Sequence, residues 1–210
     1  MPIEILHETD RWLAVAKPAE ISVHNDPGSD LVSLVQEQNE FEEIFPVNRL
    51  DLGTSGIVLL AKDKEAAQQL GALIAERHCE KFYSAVVHGR IEAAEDQWQS
   101  WTWPLTKKAE GRKNPRGMSR DRVPCETRWR VVEFSDKGTK LDIQLITGRK
   151  HQIRRHSAIA KHPVLGDSRY GKGKGGLDRL ALHARELVFV DPFFGDEVRI
   201  VCAEPGVLDM

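Results

Sequence analysis

Residues 47–77 read VNRLDLGTSGIVLLAKDKEAAQQLGALIAER, and their reading decides the fold. Gly56–Ala61 is a short apolar run, which predicts a buried strand. Asp63 follows as an N-cap, and Ala66, Ala67, Leu70, Leu73, Ile74 and Arg77 then recur at helical spacing, which predicts a helix over 64–77. A polar turn holding Asp51 precedes this strand–helix unit. Upstream, Ile3–His7 and Trp12–Ala16 read as a hairpin ended by Lys17-Pro18, residues 19–30 as a loop, and Leu31–Gln38 as a helix. Downstream, Lys81–Val87 reads as a strand, Glu126–Phe134 and Thr139–Ile146 as a hairpin, Lys150–Lys161 as a helix, and Glu186–Val190 and Glu197–Cys202 as a last hairpin. Several hairpins with few helices predict an α+β fold with a mixed, mostly antiparallel sheet. No repeat or linker divides the chain, so one domain over 1–210 is expected.

The bulk numbers suit a folded enzyme-sized core: 210 residues, 40% of them hydrophobic. Cys79, Cys125 and Cys202 are far apart, odd in number and without metal-ligand spacing, so buried thiols in a reducing compartment are expected. No apolar run approaches the ~20 residues of a membrane span, and the start has no apolar signal core, so a cytoplasmic protein without membrane contact is expected. The net charge of −2 argues against a nucleic-acid partner until its distribution is read. Lys107–Arg185 holds 21 Lys/Arg against 8 Asp/Glu, while the rest of the chain holds 9 against 24. That asymmetry predicts one basic face for a polyanion. Residues 107–122 carry seven of these basic groups among Gly, Pro, Asn and Ser, which predicts a mobile basic loop. Gly171–Gly176 reads as a second flexible segment.

Two segments carry residues suited to chemistry. One is Arg49-Leu50-Asp51, and the other is Thr147–His156, with three arginines and two histidines in eight residues. Together they suggest one reactive carboxylate in a cationic setting. Taken alone, Asp51 reads first as a turn or cap residue before Gly53-Thr54; a phosphate contact or surface ion pair is the secondary reading of Arg49, and strand packing that of Tyr83. His151 and His156 lack the carboxylate or thiol that would complete a metal set, so no metal and no cofactor are expected. Trp98, Trp101 and Trp103 offer a base-stacking platform, but packing is the plainer reading.

Four ordered blocks carry a resemblance. They are Arg49-Leu50-Asp51 with Thr54-Ser55-Gly56; Lys81–Gly89; Thr147–His156 running on to His162–Asp167; and Arg179–Ala184. Together they resemble the RluA family of RNA pseudouridine synthases over roughly residues 10–202. The resemblance implies the family's catalytic fold, a bent sheet with a cleft along one face, without the additional N-terminal RNA-binding domain that many members carry. It makes Asp51 the catalytic carboxylate, acting at the sugar as nucleophile or as base. Tyr83 then lines the active site, and Arg154 is the arginine that pairs with the catalytic Asp. Arg49 enters the RNA stack vacated by the flipped nucleotide. Arg149, Lys150, His151 and Arg155 are expected at the RNA, most of them at phosphates. Gly166-Asp167 and Tyr170-Gly171 are expected as a shaped turn, not as catalytic residues. One position departs from the pattern: Asn48 stands where the family usually has His, which puts His-dependent steps in doubt. The expected function is isomerisation of specific uridines in structured RNA, with transfer RNA favoured over ribosomal RNA by the Arg154-Arg155-His156 run and the short chain, and with no required protein partner. Two rivals stay open: a non-catalytic RNA-binding protein on the same scaffold, and a metal-dependent hydrolase built on the histidines.

Overall fold

The computed structural model describes residues 2–93, 96–109, 114–171 and 177–208. In chain order the elements are β1 (Ile5–Glu8), β2 (Trp12–Lys17), α1 (Leu31–Asn39), β3 (Phe45–Pro46), β4 (Ser55–Ala61), α2 (Lys64–Ala75), β5 (Cys79–Val87), β6 (Gln99–Trp101), β7 (Leu105–Thr106), β8 (Arg122–Val123), β9 (Thr127–Ser135), β10 (Gly138–Leu145), α3 (Gln152–Ile159), β11 (Leu182–Val190) and β12 (Glu197–Val201). The architecture is α+β, with mostly antiparallel pairing. The chain forms two compact units, Met1–Lys81 with Ala184–Glu204, and Phe82–His183 with Pro205–Met210. It passes from the first to the second inside β5 and returns inside β11.

In the first unit the strand order is β1-β2-β4-β11, with β3 added to β4 and β12 to β11. β2 and β4 pair antiparallel from Trp12↔Ala61 to Lys17↔Gly56. Side chains alternate across these strands, and both faces are covered. Trp12, Ala14, Ile57, Leu59 and Ala61 pack with Ala66 and Leu70 of α2 and with Leu187 and Phe189 of β11. Leu13, Val15, Val58 and Leu60 pack with Leu31 and Val35 of α1. A strand buried on both sides needs apolar residues at every position, which is why 57–61 is an unbroken apolar run. Asp63 caps α2 by accepting from the Ala66 amide at 2.8 Å. The helix stops at Ala75 rather than 77, because Arg77 adopts a left-handed φ of 66° and turns the chain out. Gly56 has φ 116°, and a Cβ there would lie 2.2 Å from the Ala184 carbonyl oxygen, so only glycine lets β4 approach β11 at this point.

In the second unit β5, β10, β9 and β6 lie in that order. The registers align Tyr83 with Ile143 and Trp129, and Ala85 with Leu141 and Val131, so these buried side chains share one face. The opposite face carries Gln144 and Arg128, then Ser84, Asp142 and Arg130. Arg130 Nε and Nη2 donate to Asp142 Oδ2 at 3.1 and 2.9 Å. α3 lies against β9 at Thr127, on the Tyr83 face. The tryptophan cluster divides: Trp101 stacks obliquely on Trp129 at 5.0 Å and Trp103 sets its edge towards His156, while Trp98 is exposed beneath Arg128 and Arg130. Packing thus holds for two of the three.

The basic segment expected as a loop has an ordered base. β7 pairs with β8, and the Thr106 amide donates to the Arg116 carbonyl. Residues 110–113 lie outside the described residues, as do 172–176 of the expected Gly/Lys-rich segment.

Candidate active site

Asp51 belongs to the first unit, on the loop between β3 and β4. Its carbonyl accepts from the Thr54 amide at 3.0 Å, which closes a tight turn. The next carbonyl, of Leu52, accepts from the Glu20 amide at 2.8 Å and from Lys17 Nζ at 3.2 Å. Lys17 is 1% exposed, and Nζ also donates to the carbonyls of Pro18 and Ile21, each at 2.7 Å. A buried amine that satisfies three carbonyls fixes the backbone beside Asp51. Asn48 fixes the other approach. Its Oδ1 accepts from the Leu59 amide at 2.7 Å and its Nδ2 donates to the Ile57 carbonyl at 3.4 Å. The side chain standing in place of the family's usual His is therefore a bracket on β4. Asp51 itself is half-buried, Arg49 is exposed, and Leu52 is 53% exposed, so the loop presents its tip to solvent.

Tyr83, Arg149, Lys150, His151, Arg154 and Arg155 belong to the second unit. Tyr83 is buried on β5. α3 begins at a hub made by Gln152. Its Oε1 accepts from the Arg149 amide at 3.0 Å and from Thr147 Oγ1 at 2.8 Å, while Nε2 donates to the Glu126 carbonyl and to Thr127 Oγ1, both at 3.0 Å. One amide side chain thereby fixes the helix start and ties it to β9. Lys150 is exposed and Arg149 half-buried. His151 has φ 55°, and its Nδ1 lies 3.1 Å from the Tyr170 hydroxyl.

Arg154 is held sideways by Asp167: Nε donates to Oδ2 at 2.8 Å and Nη2 to Oδ1 at 3.0 Å. Burial alone pushes the Asp167 carboxyl up, but the bonds and charge of Arg154 and the amides of Tyr170 and Arg169 outweigh it, so the group stays below the ordinary carboxylate range. The sequence reading of Gly166-Asp167 as a turn thus found half of its role. No spacing rule pairs a helix arginine with an acid thirteen residues on, and Gln152 and Lys17 were missed for the same reason.

Arg155 requires a correction. Expected at the RNA, it is fully buried. Its Nε donates to the Pro115 carbonyl at 2.6 Å, Nη1 to the Thr106 carbonyl at 3.0 Å and Nη2 to Thr106 Oγ1 at 2.9 Å. It fastens the base of the basic segment to α3, because adjacent helix positions point about 100° apart. His156 is also buried, between Thr127 Oγ1 and the Trp103 carbonyl, each at 2.9 Å. Burial, partly opposed by the Trp103 carbonyl and assisted by the Arg155 charge, pushes its pKa down to about 4, so the ring is neutral near pH 7. Among the described residues, no three His, Cys, Asp or Glu gather as a metal site.

Comparisons with known proteins give the chain's family. Residues 11–158 fit the family model described as RNA pseudouridylate synthase. The ribosomal large subunit pseudouridine synthase C of Vibrio parahaemolyticus is 36% identical over 207 residues, covering 90% of this chain and 61% of that protein. The tRNA pseudouridine synthase C of the same organism is 32% identical over 216 residues, covering 93% of this chain and 88% of that protein. The chain thus spans about three fifths of the length of the first relative and most of the second. Among solved structures, human RNA pseudouridylate synthase domain containing 1 superposes with a TM-score of 0.81 at 24% identity, over 99% of this chain and 86% of that one, a likeness of fold. The chain belongs to the RNA pseudouridylate synthase family, in its RluA branch.

Proposed function

We propose that the protein converts specific uridines of structured RNA to pseudouridine, with Asp51 as the reacting carboxylate. The observation that carries this reading is the family match over residues 11–158, which contains Asp51, Tyr83 and Arg154 and runs across parts of both units. It also supports treating the two units as one catalytic domain. The geometry adds a pinned backbone beside a partly accessible Asp51, as a carboxylate that must meet a sugar carbon requires.

The reaction is an isomerisation. The N1–C1′ bond breaks, the uracil turns, C5 bonds to C1′, and the C5 proton leaves to solvent while N1 gains one. Asp51 acts at the sugar, as nucleophile or base. Tyr83 and Arg154 take the roles that the family resemblance implies, Tyr83 lining the active site and Arg154 serving to orient the catalytic carboxylate. The exposed Arg49 fills the stack that the extruded base leaves. Lys150 and Arg149 contact phosphates. The sequence weight for transfer RNA rested on the 154–156 run and the short chain, and two of the run's three members are buried, so both RNA classes are arms of the test.

Transcripts of transfer RNA and ribosomal RNA carrying uridine tritiated at C5 provide that test, since isomerisation releases this hydrogen to water. Wild-type protein is expected to release tritium from at least one class. Asp51→Asn is expected to release none while RNA affinity stays within about tenfold, ~1.4 kcal/mol. No release from either class by the wild type, or turnover by Asp51→Asn, overturns the proposal.

A further inference from the structure

We propose that Asp167 is a positioning residue for the reaction, which fixes the plane of the Arg154 guanidinium. This rests on the reading that Arg154 serves the chemistry. The pair is side-on, the geometry in which two parallel N–H···O bonds leave the guanidinium no rotation. The Arg154 side chain is 12% exposed and that of Asp167 is 0%, so water does not compete for either.

Asp167 is itself held from several sides. Oδ1 accepts from the amides of Arg169 at 2.9 Å and Tyr170 at 3.0 Å, as well as from Arg154. Its own amide donates to the Val164 carbonyl, and its carbonyl accepts from the Gly171 amide. Gly166 before it has φ 75°, and a Cβ there would meet the Arg179 carbonyl oxygen at 2.0 Å, so the turn requires glycine at this position. The face of the guanidinium is supported as well as its edge. Arg154 Cζ stands 5.4 Å from the centre of the Tyr170 ring, whose hydroxyl meets His151 Nδ1. Burying an ion pair gains little stability against packed apolar groups. A buried carboxylate with four donors, aimed at the arginine that the chemistry needs, is better explained by orientation.

The experiment measures single-turnover rate at saturating protein, RNA affinity and melting temperature for Asp167→Asn, Arg154→Lys, the double variant and Asp167→Glu. Asparagine keeps an oxygen for the two turn amides but opposes an N–H to Arg154 Nε, so it removes the charge and one of the two bonds of the pair and spares the turn. Expected for Asp167→Asn is a rate ~10–100-fold below wild type, with RNA affinity within about threefold. The double variant should be no more than about threefold slower than Arg154→Lys, because both changes remove one interaction. Asp167→Glu keeps the charge but displaces it by a methylene, and a slower rate is expected there too; it serves if Asp167→Asn does not fold. A lowered melting temperature with a wild-type rate at a temperature where the variant is folded overturns the proposal, as does additivity in the double variant. A normal rate for Arg154→Lys overturns the role of Arg154 itself, which is a separable failure.

Discussion

Around Asp51, two side chains hold the backbone: Lys17 gathers the carbonyls of Pro18, Ile21 and Leu52, Asn48 brackets β4, and the carboxylate stands on a pinned loop. Around α3, the holding is shared among Gln152, Arg155, His156 and Asp167, each joined to a different segment of its unit. The first arrangement is local, reaching from residue 17 to residue 59. The second draws on residues 103–127 and 167–170, and its neighbours in sequence have unlike fates. Arg154 meets a carboxylate, Arg155 meets carbonyls of the basic segment, and Lys150 meets solvent. A run of cations on a short helix is thus several devices, not one electrostatic patch.

The sharpest comparison replaces the buried cationic side chain in each region. Lys17→Met and Arg155→Met each strand several carbonyls, and each should cost about 3–5 kcal/mol in denaturant unfolding. They should part in function. Lys17→Met should also slow single turnover, because the Leu52 carbonyl beside Asp51 loses its anchor, whereas Arg155→Met should spare that rate and weaken RNA binding through the basic segment. Equal effects on rate would erase the distinction drawn here.

Acid should act on the second region through His156. Its folded pKa is about 4 against an unfolded value of 6.5, so the unfolded chain binds the extra proton first. Stability is full above about pH 6.5 and should fall as pH drops towards 4, by about 3 kcal/mol in all. Unfolding measured between pH 7 and 4 should show that slope, and His156→Asn should flatten it.

Arg154→Lys keeps a charge and loses the two-pronged geometry, so turnover should fall at least ~100-fold, or ~2.7 kcal/mol of barrier, with RNA affinity nearly unchanged. Loss of affinity alone would make Arg154 a phosphate contact. The smallest effect belongs to exposed Lys150. Lys150→Gln should weaken binding by less than about tenfold and lower the log–log salt slope by about one unit, with the rate at saturation unaltered. An unchanged slope would remove it from the RNA surface.

Most of the elements were legible before any coordinates, because their signals are local. The run at 57–61, the Asp63 cap and the spacing of Ala66 and Leu70 each report on a few neighbouring residues. The helix expected over 150–161 is shorter, Gln152–Ile159, since His151 takes a left-handed conformation just before it. The motif residues Asp51, Tyr83 and Arg154 were also named from sequence, through the ordered blocks. Their supports were not: Lys17 reads only as the end of a strand, Gln152 as a polar helix residue, and Asn48 as a departure from a pattern.

The two- and three-residue strands β3, β6, β7 and β8 came only with the structure. By itself, then, the sequence determined the longer strands and the helices in their order, the family, and the candidates for chemistry. These depend on apolar periodicity, capping and motif spacing, which are written in adjacent residues. Only the tertiary structure decided which of two adjacent arginines meets Asp167 and which is buried under Pro115 and Thr106, and that His156 is a neutral core side chain. Hydrogen bonds of this kind join residues from 13 to 53 positions apart, and each partner is set by where the backbone carbonyls and buried acids lie once the strands have paired.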